Sequence, residues 1–264
     1  MLDISYGQHT DPGNRRWNED TTGVFVPRFG REMQDRGWLF ALADGVGGLQ
    51  SGEMASSNAV QVVVDGFASA GEQTLLTSLL PRLIQHANAA VRDAGLRRNR
   101  RMATTLVACA LRGDQAYLAH VGDSRCYLVR NGRAELLTHD HTWFSEQFRQ
   151  GLISEAEAAA SKSRHILTRT LGVERYVTAD STALTIRPDD VLVLCSDGLY
   201  APLGAEKMAD VVAHKRHDAA AIARDLVSEA IATDGSDNAT AVVICIRSVE
   251  AVAMYRGRPY QRPG

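Results

Sequence analysis

Aspartates stand in this sequence where runs of apolar residues end. Leu39-Phe40-Ala41-Leu42-Ala43 leads into Asp44-Gly45, and Leu118-Ala119-His120-Val121 leads into Gly122-Asp123. Val191-Leu192-Val193-Leu194-Cys195 passes through Ser196 into Asp197-Gly198, and Asp237-Asn238 precedes the apolar run 240–246. A lone Asp-Gly after a strand is ordinarily a turn. Several strand ends that each carry a carboxylate can instead converge on one point, where like charges need a cation to neutralise them. Oxygen ligands without a His/Cys cluster select Mg2+ or Mn2+ over zinc, and Gly45 adds a backbone carbonyl that can approach such an ion closely. A further acidic group, Asn18-Glu19-Asp20, follows Arg15 and Arg16. The planar guanidinium fork suits phosphate oxygens, so the combination points to phosphate chemistry. Two cations about 3.5–4 Å apart would position and deprotonate a bridging water for in-line attack on phosphorus, with Arg neutralising the equatorial oxygens.

Short strands and paired helices must position these residues. Apolar, β-rich runs at 2–6, 21–26 and 38–43 are separated by Gly, Pro and Asn. Helical spacing follows in Ala55, Ala59, Val62, Val63 and Phe67, and again in Leu76, Leu79, Leu80, Leu83, Ala87 and Val91, with Pro81 expected to start or kink the second helix. Runs at 103–111, 115–121 and 124–129, joined by Arg112-Gly113-Asp114 and Gly122-Asp123 and followed by Asn131-Gly132, read as an antiparallel meander. Residues 139–171 break the β rhythm and read as an insertion of short helices; strands return at 182–186 and 191–195. Helical spacing at 207–213 and through Ile222, Leu226, Val227, Ala230 and Ile231 precedes a last strand, 240–246. Helices that arrive in pairs between runs of strands define an α+β architecture of antiparallel sheets covered by helices. No repeat or linker divides it, so residues 1–250 are expected to form one domain, with 251–264 as a strand end and frayed tail.

Composition bounds the partners. The chain has 264 residues, 45% of them hydrophobic and 23% charged, with a formal charge of −2, which denies it the basic excess of nucleic-acid binders. No apolar run approaches the ~20 residues of a membrane span. The opening Met1-Leu2-Asp3-Ile4-Ser5 has neither a basic nor an apolar leader pattern, which makes the cytoplasm the expected compartment. The four cysteines, Cys109, Cys126, Cys195 and Cys245, lie in apolar runs without CxxC pairing and read as reduced core thiols. Neither GxxxxGK[ST], HExxH nor GxSxG occurs, which removes support for nucleotide-loop, zinc-protease and serine-hydrolase chemistry.

Taken in order, the motifs resemble the metal-dependent protein phosphatases, or type 2C serine/threonine phosphatases, in their compact bacterial form. The resemblance spans nearly the whole chain. It rests on Thr10-Asp11-Pro12-Gly13 with Arg-x-x-Asn-Glu-Asp ending at Asp20, and on Ala43-Asp44-Gly45-Val46-Gly47-Gly48 with Gly52-Glu53-x-Ala55-Ser56. It continues through Val121-Gly122-Asp123-Ser124-Arg125, Leu137-Thr138-x-Asp140-His141, Leu167-Thr168-Arg169-x-Leu171-Gly172, Ser196-Asp197-Gly198-Leu199 and Ser236-Asp237-Asn238-x-Thr240. The resemblance implies a central β-sandwich flanked by helices on both faces, with a Mn2+ or Mg2+ cluster at one end. By the same resemblance Asp44 would bridge two core ions, the Gly45 carbonyl would serve the first, and Asp197 and Asp237 would hold the second. Glu19 and Asp20 would orient bound waters, and Asp123, shared with Asp197, would bind a third, weaker ion. Residues 139–171 resemble the family's flap, which overhangs the site, and His165 falls near a position that can complete the third metal site.

Two departures from the family pattern bear on mechanism. Arg15 keeps the phosphate-binding spacing to Asp20, but the stretch after Gly13 is one residue short, so Arg16 is a competing phosphate ligand. Leu49 stands where many bacterial members carry His, which leaves leaving-group protonation to a metal-bound water, His141 or His165. The first functional reading is a phosphoserine/phosphothreonine protein phosphatase whose counterpart is a serine/threonine protein kinase. The alternatives are a phosphoprotein-recognising regulatory module with little turnover and a phosphohydrolase of small molecules or nucleic acid. The Arg97-Arg98-Asn99-Arg100-Arg101 run reads as a solvated loop, with docking of an acidic or phosphorylated partner as its other reading.

Overall fold

A computed structural model describes residues 2–28, 30–46, 51–72, 74–154, 166–215, 218–249, 252–255 and 258–261. Two antiparallel sheets face one another. The first sheet runs β1 (Leu2–Asp11), β11 (Ala239–Val249), β10 (Val191–Cys195), β7 (Arg125–Arg130) and β8 (Arg133–Leu136). The second runs β2 (Asp20–Phe25), β3 (Trp38–Val46), β5 (Leu106–Arg112), β6 (Gln115–Val121) and β9 (Asp180–Thr185), with the short β4 (Ala103–Thr104) paired to the end of β3. Strands β12 (Val252–Tyr255) and β13 (Arg258–Gln261) pair with each other.

Side-chain alternation along these strands builds three apolar layers. Phe40 and Leu42 of β3, Leu192 and Leu194 of β10, and Val242, Ile244 and Ile246 of β11 interlock between the sheets. The intervening residues turn outward. Leu39, Ala41 and Ala43 meet α2 (Ser51–Ser69) and α3 (Leu76–Arg98), while Val191, Val193 and Cys195 meet α5 (Asp197–His214) and α6 (Ala219–Thr233). Each helix offers a stripe at three- and four-residue spacing, such as Ala55, Ala59, Val63 and Phe67 on α2, because only that face can be buried against a sheet. Two short helices, α1 (Gly30–Asp35) and α4 (Trp143–Arg149), lie outside these pairs.

Several boundaries differ from the sequence reading. β1 continues to Asp11, since its polar residues still find ladder partners in β11, with Thr10 opposite Thr240. α3 starts at Leu76, so Pro81 lies within the helix, where it forgoes one backbone hydrogen bond. α5 starts at Asp197, ten residues before its periodic stretch, because Pro202 and Gly204 (φ +69°) break it into two pieces with different faces. Within 139–171 one helix, α4, is described, capped by the Thr142 hydroxyl accepting from the Ser145 N–H at 3.3 Å; residues 155–165 lie outside the described residues. The arginine run sits exposed at the C-terminus of α3, where positive charge suits the helix dipole. All four cysteines are buried and free, and burial pushes the Cys109 thiol up to about 12.

Phe40 has no exposed surface and fills the layer between the sheets. Phe40→Ala should therefore lower the unfolding free energy by about 3–5 kcal/mol in a urea titration, and a loss under about 1 kcal/mol would contradict this packing.

Candidate metal centre

The alternation that packs the sandwich also builds its mouth. Asp44 follows Phe40 and Leu42 on the inward-facing side of β3, and its antiparallel partner across β2 is Asp20. Thr240 precedes Val242 and Ile244 in the same way on β11. Where the sheets reach this end the apolar layer is replaced by carboxylates and hydroxyls. A cleft of about 370 Å3 opens there, lined by Arg15, Arg16, Trp17, Glu19, Asp44, Gly45, Val46, Thr105, Asp123, Leu167, Asp197, Asp237 and Asn238. Nearly every site residue singled out from the sequence lies on this wall, with Asp20 buried just behind it.

Asp44 is held from both sides of its peptide. Its N–H donates to Thr105 Oγ1 at 2.9 Å, and its carbonyl accepts the Thr105 N–H at 2.9 Å and the Thr104 hydroxyl at 2.7 Å. Thr105 Oγ1 lies 2.6 Å from Ser124 Oγ, which joins the Asp44 strand end to the turn carrying Asp123. At Gly45 an added Cβ would fall 2.3 Å from the Gly52 backbone, so the start of α2 can lie against this strand only because Gly45 has no side chain, while a Cβ on Gly52 would meet the Glu19 carboxylate at 2.6 Å. Asn238 organises the opposite wall: its Oδ1 accepts the Glu19 N–H at 2.9 Å, and its Nδ2 donates to the Pro12 and Trp17 carbonyls at 2.9 and 3.0 Å. Ser196 occupies the N-cap position of α5 without capping it; its hydroxyl donates to Asp20 Oδ2 at 2.7 Å and accepts the Thr240 N–H at 3.0 Å.

The electrostatics are those of a site that needs a cation. Burial, with Asp197 and Asp237 nearby, pushes Asp20 up to about 7. Burial pushes Asp44 well above the usual carboxylate range, with Asp20, Asp197, Asp123 and Asp237 adding to the effect. Burial and the Asp197 and Asp140 charges carry Asp123 to about 7. Asp20 Oδ1 is buried without a hydrogen-bond partner among the described residues. Carboxylates, a glycine carbonyl and no thiol form a donor set that fits Mg2+ or Mn2+.

Arg15 and Arg16 both reach the cleft but differ in their contacts. Arg15 donates from Nη2 to Asp237 Oδ2 and from Nε to the Ser236 carbonyl, each at 2.9 Å, whereas the Arg16 guanidinium lies over the Trp17 ring, 5.1 Å from its centroid. Leu49 and His165 lie outside the described residues. His141, the other histidine considered for leaving-group protonation, lines no part of the cleft. It is fully buried behind the cleft, its Nδ1 accepts the Gly122 N–H at 3.1 Å, and burial together with His120 and Arg169 pushes it down to about 4. Thr104, Thr105 and the wall residue Trp17 were missed, since no motif marks them. Ser124, Ser196, Asn238 and Thr240 stood inside quoted motifs without an assigned task.

Comparisons with known proteins agree with this geometry. The Protein phosphatase 2C family profile matches residues 8–239. The serine/threonine phosphatase stp of Listeria welshimeri is 34% identical over 258 residues, covering 94% of this chain and 96% of that protein. The serine/threonine phosphatase of S. agalactiae superposes with a TM-score of 0.84 at 30% identity, covering 93% of this chain and all of that one (100%). The catalytic domain of the serine/threonine protein phosphatase PstP, solved in complex with two manganese ions, gives 0.79 at 29% identity over 94% of this chain and 100% of that one. The chain belongs to the protein phosphatase 2C family.

A pH-dependent stability follows from the raised carboxylates. Asp20 and Asp123 titrate near 7 in the fold and about 3.9 when unfolded, so the folded state binds more protons between these values. Their contribution is fully present below about pH 4 and is lost as the pH rises through about 7 in metal-free protein. A cation competes with those protons, so Mn2+ should raise Tm more at about pH 8 than at about pH 5. Equal Mn2+-induced shifts in Tm at the two pH values would count against convergence of these carboxylates.

Proposed function

We propose that this protein hydrolyses phosphoserine and phosphothreonine in proteins, using Mn2+ or Mg2+ held at the mouth of the sandwich. One observation carries the reading: Asp44, Gly45, Asp123, Asp197, Asp237 and Arg15 line a single cleft, where burial and neighbouring carboxylates raise Asp44 and Asp123 above the usual carboxylate range. When bound, the metal supplies an activated water and offsets the charge developing on the phosphoryl group. Asp44, the Gly45 carbonyl, Asp197 and Asp237 are assigned to two core ions, and Asp123 with Asp197 to a third. Glu19 and Asp20 line and back the same wall, positioned to orient water around those ions.

The other residues follow from their places. Arg15 binds the phosphate dianion, since its guanidinium already lies at the rim beside Asp237; Arg16, stacked on Trp17, is the competing choice. Residues 1–250 act as one phosphatase domain, with 139–171 as the flap over the cleft. That assignment is supported by Leu167, which lines the cleft from this segment. Substrates are phosphorylated proteins, a serine/threonine kinase acting on the same proteins is the counterpart, and the cytoplasm is the compartment. Among the described residues no helix is long and apolar enough to cross a membrane.

Phosphate release from a phosphopeptide, measured beside a nucleotide panel, tests the substrate class. Asp44→Ala and Asp237→Ala should each lower kcat by about 100-fold or more, and excess chelator should do the same. Full activity in either variant or in chelator sinks the metal-dependent reading, and preferential nucleotide hydrolysis sinks the protein-substrate reading. For the arginines, Arg15→Ala should mainly raise KM, because phosphate is held in both ground and transition states. A raised KM confined to Arg16→Ala would transfer the role.

A further inference from the structure

His141 lines no part of the cleft, yet its ring and both of its backbone groups are held. Its Nδ1 accepts the Gly122 N–H at 3.1 Å, its own N–H donates to the Gly122 carbonyl at 3.0 Å, and its carbonyl accepts the Thr168 N–H at 2.8 Å. Its Nε2 lies 3.4 Å from Asp180 Oδ2, and Asp180 Oδ1 accepts from Arg169 Nη1 at 2.7 Å. Neutral imidazole carries a single ring proton; with Nδ1 accepting from Gly122, that proton sits on Nε2 and faces Asp180. The Gly122 N–H therefore selects this tautomer, and the Asp180 carboxylate, near Nε2 but outside hydrogen-bond geometry, favours it electrostatically.

His120, His141 and Asp180 also bring three ligand-type atoms within 4.8 Å of one another, which raises the question of a second metal site. Ring geometry answers against it. The two imidazoles are stacked, with planes 20° apart and centroids 4.8 Å apart, so their in-plane lone pairs run side by side and do not converge on one ion. His120 Nε2 is already engaged by the His139 backbone, 2.8 Å from its carbonyl and 3.3 Å from its nitrogen, and Arg169 already neutralises the carboxylate. The cluster is a hydrogen-bonded clamp.

What the clamp joins gives it meaning. Asp123 follows Gly122, Leu167 precedes Thr168, and both line the cleft. Gly122 has φ +100°, and a Cβ there would meet the Thr105 side chain at 2.6 Å, so this position cannot carry a side chain that would anchor it. We propose that His141 is a positioning residue: its Nδ1 and backbone fix the Gly122-Asp123 turn so that the Asp123 carboxylate faces the cleft, and they tie that turn to the base of the flap at Leu167 and Thr168. The proposal rests on the assignment of Asp123 to the third, weaker ion.

The test compares His141→Asn, whose Oδ1 can accept near the place of Nδ1, with His141→Leu, which fills similar volume without an acceptor. Asp180→Asn keeps the imidazole and removes the negative charge facing Nε2, and it serves where His141→Leu does not fold. Calorimetric Mn2+ titration of the full chain, hydrogen exchange of the Gly122 amide in the Mg2+-loaded protein, and kcat and KM on a phosphopeptide are the readouts. His141→Leu should weaken the weakest Mn2+ site by about tenfold with the tighter sites retained, speed Gly122 exchange by about tenfold, and lower kcat more than it raises KM. His141→Asn should restore Gly122 protection and the weak site, and Asp180→Asn should show a smaller loss of the same kind. Equal impairment in Asn and Leu, or a wild-type weak site in Leu, overturns the proposal. Asp123→Ala separates the two layers: Mn2+ stoichiometry unchanged from wild type there removes the ligand assignment itself, whereas a site lost in Asp123→Ala and intact in His141→Leu overturns only the role of His141.

Discussion

Buried carboxylates that repel one another are the constraint around which the rest of this structure is arranged. Asp20 and Asp44 face each other across an antiparallel pair, a placement that is destabilising for like charges, and Asp123, Asp197 and Asp237 add to the crowding. The sandwich gains nothing from such an end by itself, so its stability must come from the apolar layers below. Phe40, Leu42, Leu192, Leu194 and Ile244 are all without exposed surface, and each contributes roughly 1.5–3 kcal/mol of burial. The same inward-facing alternation that makes those residues core makes Asp44 point into the mouth.

Orientation of the carboxylates is then a matter of neutral donors. Thr104 and Thr105 grip the Asp44 peptide, Ser124 links that grip to the Asp123 turn, and Asn238 ties the loop carrying Glu19 to the strand end carrying Asp237. Hydroxyls and amides fix geometry without changing the charge a cation sees, which a lysine in their place could not do. Ser196 shows the cost: it stands at the N-cap of α5, where its hydroxyl could stabilise the helix by about 0.5–2 kcal/mol, and instead donates to Asp20.

Much of this was legible in the residues. The α+β sandwich, its helix pairs and the strand-end aspartates follow from period-two and period-3.6 patterns and from the ordered motifs. Other features were not local in sequence. Thr105 lies 61 positions from Asp44 and Ser196 lies 176 from Asp20, so their hydrogen bonds exist only once the sheets are assembled. The first piece of α5 was hidden because Gly204 rotates the helical phase, and Asp197-Gly198 reads as a turn when only neighbours are considered. The surroundings of His141 were hidden for a related reason: its depth, its stacking on His120 and its Gly122 partner exist only in the assembled fold.

The Arg15–Asp237 contact shows how such a site can remain responsive. Both partners are substantially exposed, with 57% and 39% of their side-chain surfaces accessible, so the pair contributes at most about 1 kcal/mol. Under the assignments above, each partner has a stronger alternative, a divalent cation for Asp237 and a phosphate dianion for Arg15. A cation that takes Asp237 releases the guanidinium, and a phosphate that takes Arg15 releases the carboxylate. Each event removes the competitor of the other, so ion and substrate assist one another through a contact weak enough to break. A buried pair such as Arg130–Asp190, whose Asp side chain is 2% exposed, could not serve in this way, because breaking it would strand a desolvated charge.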